Sequence, residues 1–181
     1  MRAITMLLIS LALLPLPAAA ASQPPSAEIS VGYAYLHDED VKGMPRGWCA
    51  SAAFHLTDVF ALVGDVGANY KTETFPGLPG NVKETITSFQ AGPRLTARGD
   101  SASVWVQALA GGTRASVRFQ GDSVTDSETH FSVQPGVGVD LRLTDSLALR
   151  AGGDYRRVFI SGGGVNEYRA HGGLVFYFGT R

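Results

Sequence analysis

The stretch "FSVQPGVGVDLRL", residues 131–143, decides the fold. Phe131, Val133, Pro135, Val137, Val139, Leu141 and Leu143 form an unbroken apolar row. Between them, Ser132, Gln134, Gly136, Gly138, Asp140 and Arg142 form a row that is small, polar or charged. Strict period-two alternation marks a strand with two unlike faces. In a soluble sheet the apolar row points inward and Asp140 and Arg142 meet water; in a barrel bathed by lipid the sense is reversed.

The same alternation recurs along the chain. "EISVGYAYL" (28–36) sets Ile29, Val31, Tyr33 and Tyr35 against Ser30, Gly32 and Ala34, and "WCASAAFHL" (48–56) sets Trp48 and Phe54 against Cys49, Ser51 and His55. "VFALVGDVGANY" (59–70), "TITSFQAGPRL" (85–95), "SLALRAGGDYRR" (146–157) and "EYRAHGGLVFYFG" (167–179) follow the rule. "ASVWVQALAGG" (102–112) is ambiguous, because Trp105 and Leu109 share a face with Gln107. Together these are eight candidate strands of roughly nine to twelve residues, near the ~9–11 that a tilted membrane strand requires.

The connections alternate in length. Long polar segments, "HDEDVKGMPRG", "KTETFPGLPGNVKE", "SVRFQGDSVTDSET" and "ISGGGVN", follow the odd strands; short turns, "TD", "ARGDS" and "TD", follow the even ones. That rhythm predicts an all-β, eight-stranded antiparallel up-and-down transmembrane barrel. "LTDVFAL" (56–62) and "LTDSLAL" (143–149) repeat one hairpin turn, in which the Asp side chain is expected to bond its own backbone. Pro93 and Pro135 fall within strands, where a missing donor calls for a local bulge.

Charge and volume choose the face that meets lipid. Asp65, Arg94, Asp140, Arg142, Arg150, Asp154, Arg156, Arg169 and His171 all sit on the glycine-containing face of their strands. An Arg or Lys at the centre of a lipid face costs roughly 2–4 kcal/mol. An eight-stranded barrel is barely wide enough for its own side chains, so the aromatics of the apolar rows would overfill it. The charged residues are therefore expected to form an ion-pair cluster in the lumen. Pairing Leu143 with Leu147 across the turn sets Asp140 opposite Arg150, and Asp154 falls near Arg169 or His171. Such a cluster reads either as a constriction that passes small ions or as a polar plug that fills the bore, and the narrowness of eight strands favours the plug.

The 181 residues have room for one domain, and a net charge of -1 gives no reason to expect nucleic acid as a partner. "MRAITMLLISLALLPLPAAAA" (1–21) has the charge, apolar core and small-residue end of a secretory signal peptide, leaving 22–181 as the barrel domain. No apolar run after it is long enough for a membrane helix, so entry into a membrane requires a closed barrel. Cys49 is alone, which excludes an internal disulfide and favours burial.

The chain resembles the small eight-stranded outer-membrane barrel family that includes OmpA-, OmpX- and opacity-like proteins. The resemblance spans the region after the leader and rests on two stretches besides the architecture. "FQAGPRLTAR" (89–98) is similar to the Gly-Pro-Arg inner-end segment of these barrels, and "YRAHGGLVFYF" (168–178) to their C-terminal assembly signal. Gly179, Thr180 and Arg181 depart from the usual aromatic ending. The resemblance implies a monomer in the outer membrane, inserted by the barrel-assembly machinery among outer-membrane lipids and lipopolysaccharide. It also implies both ends in the periplasm and loops that meet an extracellular ligand.

Catalysis is tested on "HFS" (130–132), similar to the His-x-Ser of lipid A deacylases. His130 and Ser132 share a face, but that face points into the lumen, and Val133 supplies no polar oxyanion partner. No enzyme is expected, and no cofactor, metal or catalytic residue is assigned. "RGD" (98–100) falls in a short turn on the periplasmic side and reads as a plain turn, and "HDED" (37–40) as a solvated acidic loop.

Overall fold

The computed structural model describes residues 25–38, 42–74, 81–119 and 125–180; the leader predicted at 1–21 lies outside them. Nine strands follow in order: β1 (Pro25–Asp38), β2 (Lys42–Met44), β3 (Arg46–His55), β4 (Phe60–Thr74), β5 (Asn81–Arg98), β6 (Ala102–Phe119), β7 (Thr125–Thr144), β8 (Leu147–Ile160) and β9 (Gly163–Thr180). β2 and β3 both pair with β1 and together make one stave. The register steps by one between Leu36↔Met44 and Tyr33↔Trp48, across Pro45, which has no N–H to give the ladder. Eight antiparallel staves result, and β1 pairs with β9 from Pro25↔Thr180 to Asp38↔Glu167, which closes the barrel.

The 131–143 stretch settles the orientation. Phe131, Val137, Leu141 and Leu143 are 47–57% exposed on the outer wall, whereas Ser132 and Gln134 are fully enclosed and Asp140 is 3% exposed. A greasy exterior around a charged interior inverts the plan of a water-soluble protein and matches a lipid-facing barrel. The ambiguity of β6 resolves the same way. Trp105, Gln107 and Leu109 are all enclosed, and the outer face is carried by the exposed Val104 and Val106.

Three details differ from the sequence reading. First, the segments 71–74, 81–84, 116–119 and 125–129 are strand rather than loop, paired as far as Thr74↔Asn81 and Arg118↔Thr125. Second, the prolines sit in no bulge. The β5–β6 register continues from Ala91↔Ala110 to Arg94↔Gln107 past Pro93, and β7–β8 from Val133↔Arg157 to Gly136↔Asp154 past Pro135. Each proline drops out of the ladder on one side only, keeping Leu62↔Pro93 and Ala108↔Pro135 on the other. The register shift lies instead between Arg142 and Thr144, so Leu147 faces Thr144 rather than Leu143. Third, the repeated turn is held by its threonine. Thr57 Oγ1 accepts the Phe60 N–H at 2.9 Å, and Thr144 Oγ1 accepts the Ser146 N–H at 3.3 Å.

Candidate functional site

The inner wall carries the site, and strand parity puts it there. Every second residue of a stave points inward, so β1, β4, β5, β7, β8 and β9 each deliver charged groups to one axis. Nearest the short turns, Arg150 makes a two-pronged contact with Asp140: Nε donates to Oδ1 and Nη2 to Oδ2, both at 2.7 Å. Arg150 Nη2 also donates to Glu28 Oε1 at 2.8 Å, and Arg94 Nη1 donates to the same oxygen. His55 Nε2 lies 3.2 Å from the second Glu28 oxygen, while its Nδ1 takes a bond from Arg98 at 2.9 Å. Because an arginine can only donate, Nδ1 accepts and Nε2 carries the proton toward Glu28.

A second cluster lies higher. Arg169 donates to both Asp65 oxygens, at 2.9 and 3.2 Å, and its Nε donates to Asp154 Oδ2 at 2.9 Å. His171 Nε2 stands 3.4 Å from Asp154. Gln107 joins the two clusters, accepting from Arg94 at 2.9 Å and donating to Asp154 at 3.1 Å. Nearest the long loops, Arg156 donates to Glu167 and to Gln134, each at 2.8 Å, and to Ser88 at 3.1 Å. Arg142, half-buried beside the β7–β8 turn, anchors that end through its backbone N–H to the Ser101 carbonyl at 2.9 Å.

Trp105 occupies the axis. Its ring lies 4.8 Å from the Arg94 guanidinium and 5.2 Å from that of Arg150, and it stacks on His171 at 6.0 Å. Nε1 donates to Asp140 at 3.2 Å. Glycines make this possible. A Cβ on Gly138 would meet the Trp105 ring at 2.2 Å, and one on Gly136 would meet Asp154 at 1.9 Å. The small residues of the inner rows are thus the clearance for the large polar ones. Four arginines (94, 150, 156, 169) and five carboxylates (28, 65, 140, 154, 167), all 2–6% exposed, occupy the bore, so its charges are mutually compensated.

Sequence reading missed Glu28, Glu167, His55, Trp105 and Gln107 as members. The signal was there for Glu28 and Glu167, each of which precedes an outward residue (Ile29 and Tyr168) and so must point inward.

Above Arg156 the bore opens into a cavity of about 540 Å3. Met44, Ile86, Val117 and Val158 wall it, and Asp38, Glu84, Glu128 and Glu167 bring carboxylates to it. His130 reaches the same cavity but bonds Glu128 at 3.1 Å, while Ser132 bonds Gln90 at 2.7 Å and Thr113 at 2.8 Å. The two therefore serve different networks and do not form a base–nucleophile pair. In "RGD", the Arg98 guanidinium turns back onto His55 and the Asp58 carbonyl. "HDED" lies partly outside the described residues. Among the described residues no three His, Cys, Asp or Glu side chains group as a metal site. Cys49 is half-buried on the inner wall, its Sγ 4.0 Å from the Tyr33 carbonyl.

Comparison with known proteins agrees with this architecture. Neisserial surface protein A superposes with a TM-score of 0.63 at 17% identity, covering 84% of this chain and 96% of that one. The attachment invasion locus protein Ail of Yersinia pestis gives 0.55 at 16% identity, covering 84% and 99%. The N-terminal barrel domain of Pseudomonas aeruginosa OprF gives 0.51 at 13%, covering 87% and 100%. No protein of curated function matches the chain in sequence. The model of the outer membrane protein beta-barrel domain matches residues 6–178. With greasy staves outside, paired charges within and that match over most of its length, the chain belongs to the outer membrane β-barrel family and resides in the outer membrane.

Proposed function

We propose that this protein is a closed membrane barrel whose role is structural or surface-interactive, exercised from its loop end toward an extracellular ligand. The observation that carries the reading is the bore: Trp105 and its flanking arginines fill the axis, and each of those arginines is bonded to a carboxylate. A channel needs an aqueous path with groups left over to meet the ion. A bore whose charges are already satisfied leaves recognition to the rim and the loops. On this reading residues 1–21 direct export and are removed. The barrel then stands as a monomer among outer-membrane lipids and lipopolysaccharide, after insertion by the barrel-assembly machinery. The geometry around Ser132 gives a lipid A hydrolase no support.

Planar-bilayer recording is the direct test. The purified barrel is expected to be electrically silent, with or without Arg150→Ala. Discrete conductance that Arg150→Ala alters would replace this reading with that of a narrow channel. Surface interaction is checked by binding of the intact barrel to envelope or host material. That binding is expected to vanish when residues 75–80 or 120–124 are exchanged for a two-residue turn, and its persistence in both variants would move the site off the loops.

A further inference from the structure

From Arg156 upward the inner rows change character. The cavity of about 540 Å3 is walled by Met44, Ile86, Val117 and Val158, and Leu36 joins Met44 and Ile86 in one buried cluster. That volume falls within the roughly 300–1,000 Å3 of a small-molecule site. The ladder sets carboxylates into this apolar wall. One cross-strand row runs Ile86↔Ala115↔Glu128, and the next runs Lys71↔Glu84↔Val117↔Asp126. On β5–β7, then, each acid position adjoins an aliphatic one. On β1 and β9, Asp38 stands across from Glu167.

Register gives the balance of charge among the described residues. The inner rows from Arg156 upward hold acids at 38, 73, 84, 126, 128 and 167, against Lys42, Lys71 and Arg156. Partners inside the wall are already in place. Glu167 accepts from Arg156 at 2.8 Å, Glu128 lies 3.1 Å from His130, and Lys71 and Lys42 stand across from Glu84 and Asp38. What attracts a cation is the two-to-one surplus, whose field the apolar walls concentrate. A metal ion does not fit. Ca2+ takes about 6–8 converging oxygens, and no three His, Cys, Asp or Glu side chains of the described residues group that way. Acids spread among aliphatic side chains suit a cation with an apolar body. Its ammonium group donates charge-assisted bonds to carboxylates while the body covers greasy wall. A neutral apolar ligand would strip water from the carboxylates without replacing its bonds, and an anion would be repelled.

We propose that the loop-end cavity binds an organic cation carried on an apolar body, with Glu84 and Glu128 meeting the ammonium group and Ile86, Val117 and Val158 the apolar part. This rests on the reading that recognition belongs to the loop end, and it names the chemical class of the ligand. The test is calorimetric titration of the intact barrel in phosphatidylcholine nanodiscs, with empty nanodiscs as the blank. The probes are 4-phenylbutylamine, 4-phenylbutanol, which has the same body without the charge, and calcium chloride. The amine is expected to saturate one site in a salt-sensitive way and to bind about tenfold more tightly than the alcohol. Glu84→Gln and Glu128→Gln should each weaken the amine about threefold and leave the alcohol unchanged. Val117→Trp, which fills the cavity, should weaken both probes. Absence of saturable amine binding, or an alcohol that binds as tightly, overturns the proposal. So does displacement of the amine by equimolar Ca2+, which would make the acids a metal site, and so does unchanged amine affinity in all three variants. Folding of each variant is read from heat-modifiable gel migration. Should one fail to fold, the comparison of amine and alcohol on the unaltered protein still decides. A silent bilayer and loop-dependent binding would uphold the surface role even if the amine failed to bind, so the two readings fail separately.

Discussion

Glu28 ties the lower bore together, because one carboxylate receives two arginines and His55. Removing one partner of a buried ion pair costs about 3–5 kcal/mol, since the other charge is left without compensation. Glu28→Gln strips the shared counter-charge from Arg94 and Arg150 while keeping the volume. The expected result is a loss of about 3 kcal/mol in urea unfolding from lipid vesicles, followed by tryptophan emission, with partial recovery in Glu28→Gln/Arg94→Gln. A loss below about 0.5 kcal/mol would show that Asp140 alone holds the cluster. Glycines supply a second residue-scale test. Gly138→Ala drives a methyl into Trp105, whereas at Gly64 the added Cβ meets nothing within 4 Å. Overpacking of this kind costs about 1–3 kcal/mol. The first variant should lose that much in the same unfolding assay and the second should be near neutral.

At the scale of the strands, legibility followed the solvent. Where a stave crosses lipid, its outer row must be apolar and its inner row polar or small, so alternation located strands such as 131–143 and fixed which face Asp140 and Arg150 share. Above the aromatic boundary both faces can be polar, and the alternation disappears although the ladder does not. That is why 71–74 and 81–84 look like loop in sequence while pairing as strand from Lys71↔Glu84 to Thr74↔Asn81. Trp105 was misleading for a different reason. Period-two reading assumes large rings go outward, and only the glycine clearance at 138 and 152 lets this one go inward. Glu28 and Glu167 were missed because each sits at the edge of its recognisable segment, although parity alone places both inside. Since pairing already reaches Thr74↔Asn81 and Arg118↔Thr125, exchanging residues 75–80 or 120–124 for a two-residue turn should leave heat-modifiable migration intact. Loss of the fast-migrating folded band would show that those tips help to fold the barrel.

For the molecule as a whole, the wall, the bore and the loop rim divide the work. The outer wall is matched to acyl chains, the bore is filled by compensated charge, and the proposed function gives recognition to the loop end, where the cavity opens. None of these assignments needs the bore to change state. Closure of the barrel between β1 and β9 carries a consequence for how the protein is made. Glu28 arrives on the first stave, while its partners Arg94 and Arg150 arrive 66 and 122 residues later. A half-built sheet opened flat in the bilayer would lay those ions against oil, and they are shielded only once the first and last staves meet. Pairs such as Arg150–Asp140 form between neighbouring staves, but for Glu28 neutralisation waits on ring closure, so the lower cluster is completed only when the C-terminal strand has joined the first.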